Sequence, residues 1–155
     1  MKALVVFYSR TGTTKKIAEA IAKGLKADTE RIEDVKSRLG IFGYLRSGRE
    51  AAIGKPGKIK PTNKDPDSYD LIILGTPVWA YKMSSPMRAY ISQNRKKFRD
   101  IAFFCTMGGS GNRKVFASMK KLTGKKPKAL LSLKTKEVMQ EDVSKQVSDF
   151  VRKLK

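Results

Sequence analysis

The segment most informative about the fold of this chain is Tyr8-Ser9-Arg10-Thr11-Gly12-Thr13-Thr14-Lys15. Five apolar residues precede it, from Ala3 to Phe7, and predict a buried parallel strand. Apolar residues at helical spacing follow it and predict a helix over about 13–25. A strand, a short polar turn and a helix form a favourable phosphate site, because the helix start offers unpaired N–H groups and the positive end of its dipole.

The turn combines several hydroxyl groups with one glycine. Ser9, Thr11, Thr13 and Thr14 can donate hydrogen bonds, and Gly12 allows the backbone to turn tightly against a ligand. The patterns G-x-x-x-x-G-K-[ST] and G-x-G-x-x-G are both absent from the chain, which disfavours a nucleoside triphosphate or a dinucleotide. The turn is therefore predicted to bind a single terminal phosphate. The alternative is an ordinary helix cap with surplus threonines.

The six residues Ser9-Arg10-Thr11-Gly12-Thr13-Thr14 resemble the FMN-phosphate loop of the flavodoxin family, [ST]-x-T-G-x-T, and match it completely. Their place after the first strand is also the family's place. The resemblance implies FMN as the cofactor and an α/β fold of three layers. That fold is a flavodoxin-like, doubly wound, five-stranded parallel sheet with the strand order 2-1-3-4-5.

Alternating strand and helix patterns along the chain support this fold as a single domain over residues 1–155. Further strands are predicted over about 28–33, 71–74, 101–105 and 129–133, and further helices over about 85–94, 113–122 and 143–151. A basic helix is also predicted over 35–53, although three glycines weaken that pattern. No insertion interrupts the fifth strand, so the chain resembles the short-chain members of the family.

Three loops are predicted to form one site, because ligands of such a sheet bind beyond the carboxyl ends of its strands. The loop after strand 3 brings Trp79 and Tyr81, whose flat faces can stack on a planar ring. The loop after strand 4 brings glycines whose backbone can approach the ring edge. Both loops resemble those that flank the flavin in the family. The candidate cofactor-binding residues are Ser9, Arg10, Thr11, Gly12, Thr13, Thr14, Thr76, Pro77, Val78, Trp79, Ala80, Tyr81, Thr106, Met107, Gly108, Gly109 and Gly111.

Each of these assignments has a structural alternative. Trp79 can act as a wedge that closes the sheet edge, Tyr81 can point to solvent, and the glycines can form an ordinary turn. The chain also departs from the family in one respect. Many flavodoxins carry a tyrosine in the strand-4 loop, and this loop has no aromatic residue, which implies a more open face of the ring.

The composition excludes several classes of function. The chain has no histidine, which removes Ser-His-Asp and Cys-His catalysis and most zinc sites. The lone cysteine, Cys105, excludes an internal disulfide and fits a reducing compartment. The first strand pattern begins directly after Met1-Lys2, and no apolar run is long enough to cross a membrane. We therefore expect a cytoplasmic protein without a signal peptide, either monomeric or weakly dimeric.

The charge is strongly basic, with 34 Lys and Arg against 14 Asp and Glu and a net charge of +20. Such a surface favours acidic protein partners, nucleic acid or an anionic membrane. The sequence contains no recognisable nucleic-acid reading element, and nothing specific supports membrane contact. Acidic redox partner proteins are therefore the expected partners. The alternative is a solvated basic surface without a partner.

The resemblance implies an FMN-binding electron carrier between redox partners, with the flavin supplying the chemistry. The alternative is an FMN-dependent oxidoreductase of the same fold, of the quinone reductase or protoporphyrinogen oxidase type. A phosphoacceptor signalling domain of this topology would need carboxylates at the ends of strands 1 and 3. The chain has Ser9, Thr11, Gly75 and Thr76 there, which disfavours that reading.

Overall fold

The structure is a computed structural model and describes residues 1–35, 43, 45–49 and 58–155. Its strands are β1 (Ala3–Phe7), β2 (Asp28–Arg31), β3 (Leu71–Trp79), β4 (Lys82–Met83), β5 (Asp100–Met107) and β6 (Leu130–Lys134). Besides the helical residues 43 and 45–49, its α-helices within these ranges are α1 (Thr13–Leu25), α2 (Ser85–Asn94), α3 (Asn112–Thr123), α4 (Thr135–Gln140) and α5 (Ser144–Leu154). Short 3-10 turns occupy Pro66–Ser68 and Arg95–Lys97.

The sheet has the predicted strand order. The path β2-β1-β3-β5-β6 is parallel throughout, which confirms the order 2-1-3-4-5 given by the resemblance. The sixth strand, β4, is an addition to the expectation of five strands. It pairs antiparallel with the far end of β3 and forms a short hairpin.

Helices cover both faces of the sheet, because successive strand residues point to opposite sides. On one side Val5 and Phe7 pack in a core cluster with Ile17 of α1 and Phe150 of α5. On the other side Leu4 lies in a second core cluster with residues of α2 and α3. These two cores confirm the predicted three-layer architecture.

Several boundaries differ from the sequence prediction. The strands β3 and β5 run past the predicted 71–74 and 101–105, so part of each predicted loop is strand. The helix α4 has no counterpart in the prediction. The cap of α2 is Ser84, whose Oγ accepts a hydrogen bond from the N–H of Met87 at 3.4 Å. Most of the helix predicted over 35–53 lies outside the described residues. Within that range, the described residues 43 and 45–49 are helical.

Gly75 allows the middle of the sheet to pack closely. A Cβ at this position would lie 1.9 Å from the ring of Phe104 on the neighbouring strand. The absence of a side chain therefore lets β3 cross the core beneath that ring, one residue before the strand enters the predicted site.

Candidate functional site

The three predicted loops meet at one edge of the sheet. The pairs Phe7 with Gly75 and Gly75 with Phe104 place the carboxyl ends of β1, β3 and β5 side by side. The strand order also reverses between β1 and β3, which is where ligands of open parallel sheets bind. The topology therefore brings the predicted site residues together.

The turn after β1 presents the start of α1 to this edge. Gly12 is the N-cap residue of α1 with φ 103°, a left-handed conformation that glycine adopts without strain. Ser9 is buried, and its Oγ accepts a hydrogen bond from the N–H of Gly12 at 3.1 Å, which holds the turn in shape. Within the described residues no side chain caps α1, so its first-turn N–H groups remain available to an anion.

The hydroxyls of this turn divide into two groups. Thr11 is exposed and Thr13 is half-buried, so both can reach a ligand. Thr14 is buried, and its Oγ1 lies 2.8 Å from Oγ1 of Thr106 in a hydrogen bond that ties α1 to the end of β5. Arg10 is half-buried beside them. Thr14 and Thr106 thus join two of the loops.

The segment after β3 is a tight hairpin. Val78 pairs with Met83 and Trp79 with Lys82, so the chain reverses through Ala80 and Tyr81 alone. These two residues have φ of 48° and 62°, the left-handed pair that a two-residue hairpin turn requires. The hairpin fixes the positions of both predicted ring-stacking residues.

The base of the hairpin is held by Thr76, which is fully buried. Its Oγ1 accepts a hydrogen bond from the N–H of Ser84 at 3.0 Å and lies 3.0 Å from that residue's Oγ. Thr76 also donates to the carbonyl of Pro77 at 2.9 Å. The hydroxyl of Thr76 is therefore used within the protein.

Two aromatic residues are arranged differently on the hairpin. Trp79 is half-buried and meets the ring of Tyr8 edge-on, with centroids 5.4 Å apart and planes at 88°. The hydroxyl of Tyr8 donates to Asp34 at 2.7 Å. Tyr81 is 57% exposed, and the ammonium of Lys114 lies 5.4 Å from its ring centroid. Trp79 is thus the better anchored of the two candidate rings.

The glycine loop after β5 packs against the hairpin at Gly111. Gly111, with φ 110°, is the N-cap residue of α3, and a Cβ there would lie 2.8 Å from Val78 and 3.2 Å from Tyr81. Gly108 and Gly109 are exposed, and a Cβ at either would meet no atom of the described residues within 4 Å. The loop therefore has one packed end and one open stretch, and its Met107 side is the buried end of β5.

The comparisons with known proteins agree with this geometry. The family model of the NADPH-dependent FMN reductases matches residues 1–133. The chain belongs to this family. The match confirms that the chain is a flavodoxin-like protein with FMN as its cofactor, as the resemblance implied.

A curated relative of this FMN reductase family member is an NAD(P)H dehydrogenase (quinone) of Cupriavidus metallidurans, 31% identical over 98 residues. The match covers 59% of this chain and 46% of the relative, so the chain spans about half the length of that protein. Among solved structures, a flavoprotein from Lactobacillus acidophilus in complex with FMN has a TM-score of 0.75 at 24% identity, over 84% of this chain and 92% of that chain. A flavoprotein from Bacteroides uniformis has a TM-score of 0.79 at 18% identity, over 97% of each chain. These two likenesses show the shared fold.

The turn after β1 fits the phosphate of FMN. The uncapped N–H groups of α1 and the hydroxyls of Thr11 and Thr13 supply donors. The Oγ of Ser9 accepts a hydrogen bond from Gly12, and this bond leaves the hydroxyl proton of Ser9 able to donate to a ligand. Trp79 and the backbone of Gly108 and Gly109 would flank the ring. When bound, FMN supplies the redox chemistry, and these residues would bind and orient it.

Acid–base and metal chemistry find little support at this edge. Burial raises the pKa of the Cys105 thiol to about 12, so it stays protonated at neutral pH and is a poor nucleophile. No cluster of metal-ligating side chains occurs within the described ranges, and none of the helices described there is long and apolar enough to cross a membrane. A groove of about 600 Å³ runs between α1 and α5, but none of the candidate cofactor residues lines it.

Two features of the site have no clear sequence signal. Tyr8 follows β1 directly and contacts Trp79, but it is not one of the candidate residues predicted from the sequence. The hairpin was treated as a loop because Ala80-Tyr81 lacks the Asn-Gly or Asp-Gly signal of such turns. The apolar residues Val78 and Met83 on either side were the only available hint.

Proposed function

We propose that this protein is an FMN-dependent oxidoreductase that takes electrons from a reduced nicotinamide and passes them to a quinone or a similar planar acceptor. The curated relative that this chain matches over about half of its length is an NAD(P)H dehydrogenase (quinone), and its name supports this class of reaction. The observation that carries the proposal is the open stretch at Gly108 and Gly109, where no side chain of the described residues stands over the backbone. A planar acceptor requires such access to the flavin.

The roles of the chain's own residues in this reaction are binding and orientation. The turn after β1 anchors the phosphate, the Thr14–Thr106 hydrogen bond fixes that turn relative to the glycine loop, and Trp79 limits access of water on its side. The nicotinamide gives up two electrons and one proton as a hydride. The quinone takes up two electrons and two protons, and the second proton comes from water. No protein acid or base is required, in keeping with a chain that has no histidine.

Steady-state turnover tests this proposal. FMN-loaded protein, verified by its visible absorption, should oxidise NADPH at a rate that depends on added 1,4-benzoquinone. Ser110→Trp should raise the KM for the quinone several-fold by placing bulk at the open stretch. Met139→Trp, at an exposed site on α4, is the matched control and should leave the KM unchanged. Full FMN loading without quinone-dependent turnover would contradict the proposal.

The second candidate function is an electron carrier between protein partners. The net charge of +20 favours it, since such a surface attracts acidic proteins and accelerates their encounter at low ionic strength. A carrier would exchange electrons with a protein partner at rates that fall steeply with salt. Oxidation of the reduced flavin by a neutral quinone would be insensitive to salt, so a salt series on this half-reaction separates the two candidates.

We further infer a cytoplasmic location, since the single buried cysteine suits a reducing compartment. We infer a monomer or weak dimer, with no sequence-specific nucleic-acid binding. Gel filtration with light scattering, and DNA retention across a salt series, would test the last two inferences.

A further inference from the structure

One long segment of the chain carries positive charge and no negative charge. Residues 101–136 contain nine lysines and arginines and no aspartate or glutamate. They are Arg113, Lys114, Lys120, Lys121, Lys125, Lys126, Lys128, Lys134 and Lys136. In the structure this segment covers β5 after its first residue Asp100, then α3, the edge strand β6 and the first two residues of α4, and β6 pairs with β5 alone among the described strands.

Most of these cations have no carboxylate partner within the described part of the chain. Lys128 pairs with Asp100 at 2.6 Å, and Lys114 lies over Tyr81. Arg113, Lys120 and the other exposed lysines of α3 and its following turn form no ion pair there. Their charge is therefore uncompensated and available to an external anion.

These cations surround a concave apolar surface. A groove of about 400 Å³ lies between α3 and β6, and a second one of similar size adjoins it, sharing Ala117 and Lys120. Phe116 forms part of the first groove and is stacked on Phe103 of the core with centroids 6.4 Å apart. Leu130 of β6, 48% exposed, lies beside it.

Helical spacing explains the arrangement. Arg113, Phe116, Ala117 and Lys120 occupy positions i, i+3, i+4 and i+7 of α3 and so share one face of the helix. The first groove begins at Asn112, directly after Gly111, and the second ends at the lysines that follow α3. One end of this surface therefore adjoins the glycine loop of the cofactor site.

We propose that the cation-rimmed groove between α3 and β6 docks an acidic protein partner, with carboxylates on the rim and one apolar side chain against Phe116 and Leu130. Charge complementarity selects an acidic occupant. The apolar centre favours a protein over a nucleic acid, whose phosphates would meet only cations, and protein interfaces typically combine an apolar core with a polar rim. The position beside the glycine loop would bring such a partner close to the flavin. The proposal concerns binding and does not require the quinone reaction.

Binding of an acidic probe protein tests the proposal. The probe is a plant-type [2Fe–2S] ferredoxin, titrated against the FMN-loaded protein at low salt. The double variant Lys120→Glu/Lys125→Glu should weaken binding at least 10-fold. The matched control Lys23→Glu/Lys153→Glu changes the net charge equally on α1 and α5, and it should weaken binding less than 3-fold. Carbodiimide cross-links should join ferredoxin carboxylates to lysines 120–126.

The apolar centre has its own test. At 0.5 M salt, where rim charges are screened, Leu130→Ser should weaken residual binding 3- to 10-fold. Met139→Ser, which removes a more exposed apolar side chain elsewhere, should leave binding unchanged. Equal losses in the two charge variants, or no binding of ferredoxin at all, would overturn the proposal. The proposal would also be overturned if Lys120→Glu/Lys125→Glu weakened the binding of duplex DNA or of anionic phosphatidylserine vesicles more than it weakened the binding of ferredoxin. Loss of quinone turnover alone would leave it intact.

Discussion

The turn that begins α1 and the turn that begins α3 share a backbone design and differ in their surroundings. Each follows a parallel strand, and each uses a glycine N-cap residue in the left-handed region, Gly12 at φ 103° and Gly111 at φ 110°. Within the part of the chain that the structure describes, a Cβ at Gly12 would meet nothing within 4 Å, whereas one at Gly111 would lie 2.8 Å from Val78. The first turn is therefore open to a ligand, and the second also serves as a joint with the hairpin.

The difference between these two turns shows that a glycine-capped helix start is not sufficient to define a phosphate site. The hydroxyl groups decide the matter, because Thr11 and Thr13 lie at the first turn and are accessible there. The second turn offers Ser110 alone, and its helix begins among uncompensated cations instead. Substitutions at the two turns should therefore affect different properties of the protein.

The largest expected effect is on FMN affinity. Thr11→Ala/Thr13→Ala should weaken FMN binding by about 3–5 kcal/mol in total, since a hydrogen bond to a charged group contributes roughly 1.5–3 kcal/mol. Ser110→Ala in the second turn should change it by less than about 1 kcal/mol. Flavin fluorescence titration measures both. Riboflavin, which lacks the phosphate, should bind the wild type and the double variant alike, and equal affinities of the wild type for FMN and riboflavin would contradict a phosphate site.

The next effect is on stability. Gly111→Ala should lower the free energy of unfolding by about 3 kcal/mol, because backbone strain and the clash with Val78 each cost roughly 1–3 kcal/mol. The Cβ of Gly12→Ala would meet no neighbour among the described residues, so strain alone should cost about 1–2 kcal/mol. Urea unfolding of the FMN-free protein gives both values. If the two variants lose the same stability, the second turn does not act as a packed joint.

These two turns also show which features of the structure can be predicted from the sequence. The pattern from Ala3 to Leu25 predicted β1, the turn and α1, because every signal in it is local and agrees with its neighbours. The hydrogen bond between Thr14 and Thr106 joins residues 92 positions apart, so no local pattern could reveal it. The need for glycine at position 75 likewise depends on where the ring of Phe104 lies.

The hairpin was unpredictable for a different reason. Its turn residues, Ala80 and Tyr81, have little intrinsic preference for positive φ, and the pairing of β3 with β4 and the contact with Gly111 accompany that conformation. Tertiary context therefore overrides local propensity there. The strands β3 and β5 ran long for the same reason, since mutual pairing extends to Pro77 and Thr106.

A smaller effect is expected at the hairpin. Trp79→Ala should weaken FMN binding by about 1–2 kcal/mol more than Tyr81→Ala, because Trp79 is held against Tyr8 while Tyr81 is 57% exposed. The emission of Trp79, the only tryptophan, should be quenched when FMN binds. Unchanged emission at saturating FMN would show that Trp79 does not lie against the ring.

The smallest expected effect concerns the redox potential of bound FMN. Reduction adds negative charge to the flavin, so nearby cations should raise its midpoint potential. Arg113 and Lys114 begin α3 beside the glycine loop, while Arg152 and Lys153 end α5 on the other side of the sheet. A unit charge about 8 Å away contributes roughly 0.5 kcal/mol in a water-like dielectric, and charges beyond this distance are largely screened at physiological salt. Arg113→Gln/Lys114→Gln should therefore lower the potential by tens of millivolts at low salt and by much less at 0.5 M salt.

The control for this prediction is Arg152→Gln/Lys153→Gln, which removes the same net charge far from the glycine loop. It should leave the potential unchanged within the error of a redox titration. If both double variants shift the potential equally, the overall charge of +20 acts as a diffuse field. If only the first double variant shifts the potential, the cations at the start of α3 tune the flavin locally. The turn before α3 then acts through its charges, whereas the turn before α1 acts through its hydroxyl groups.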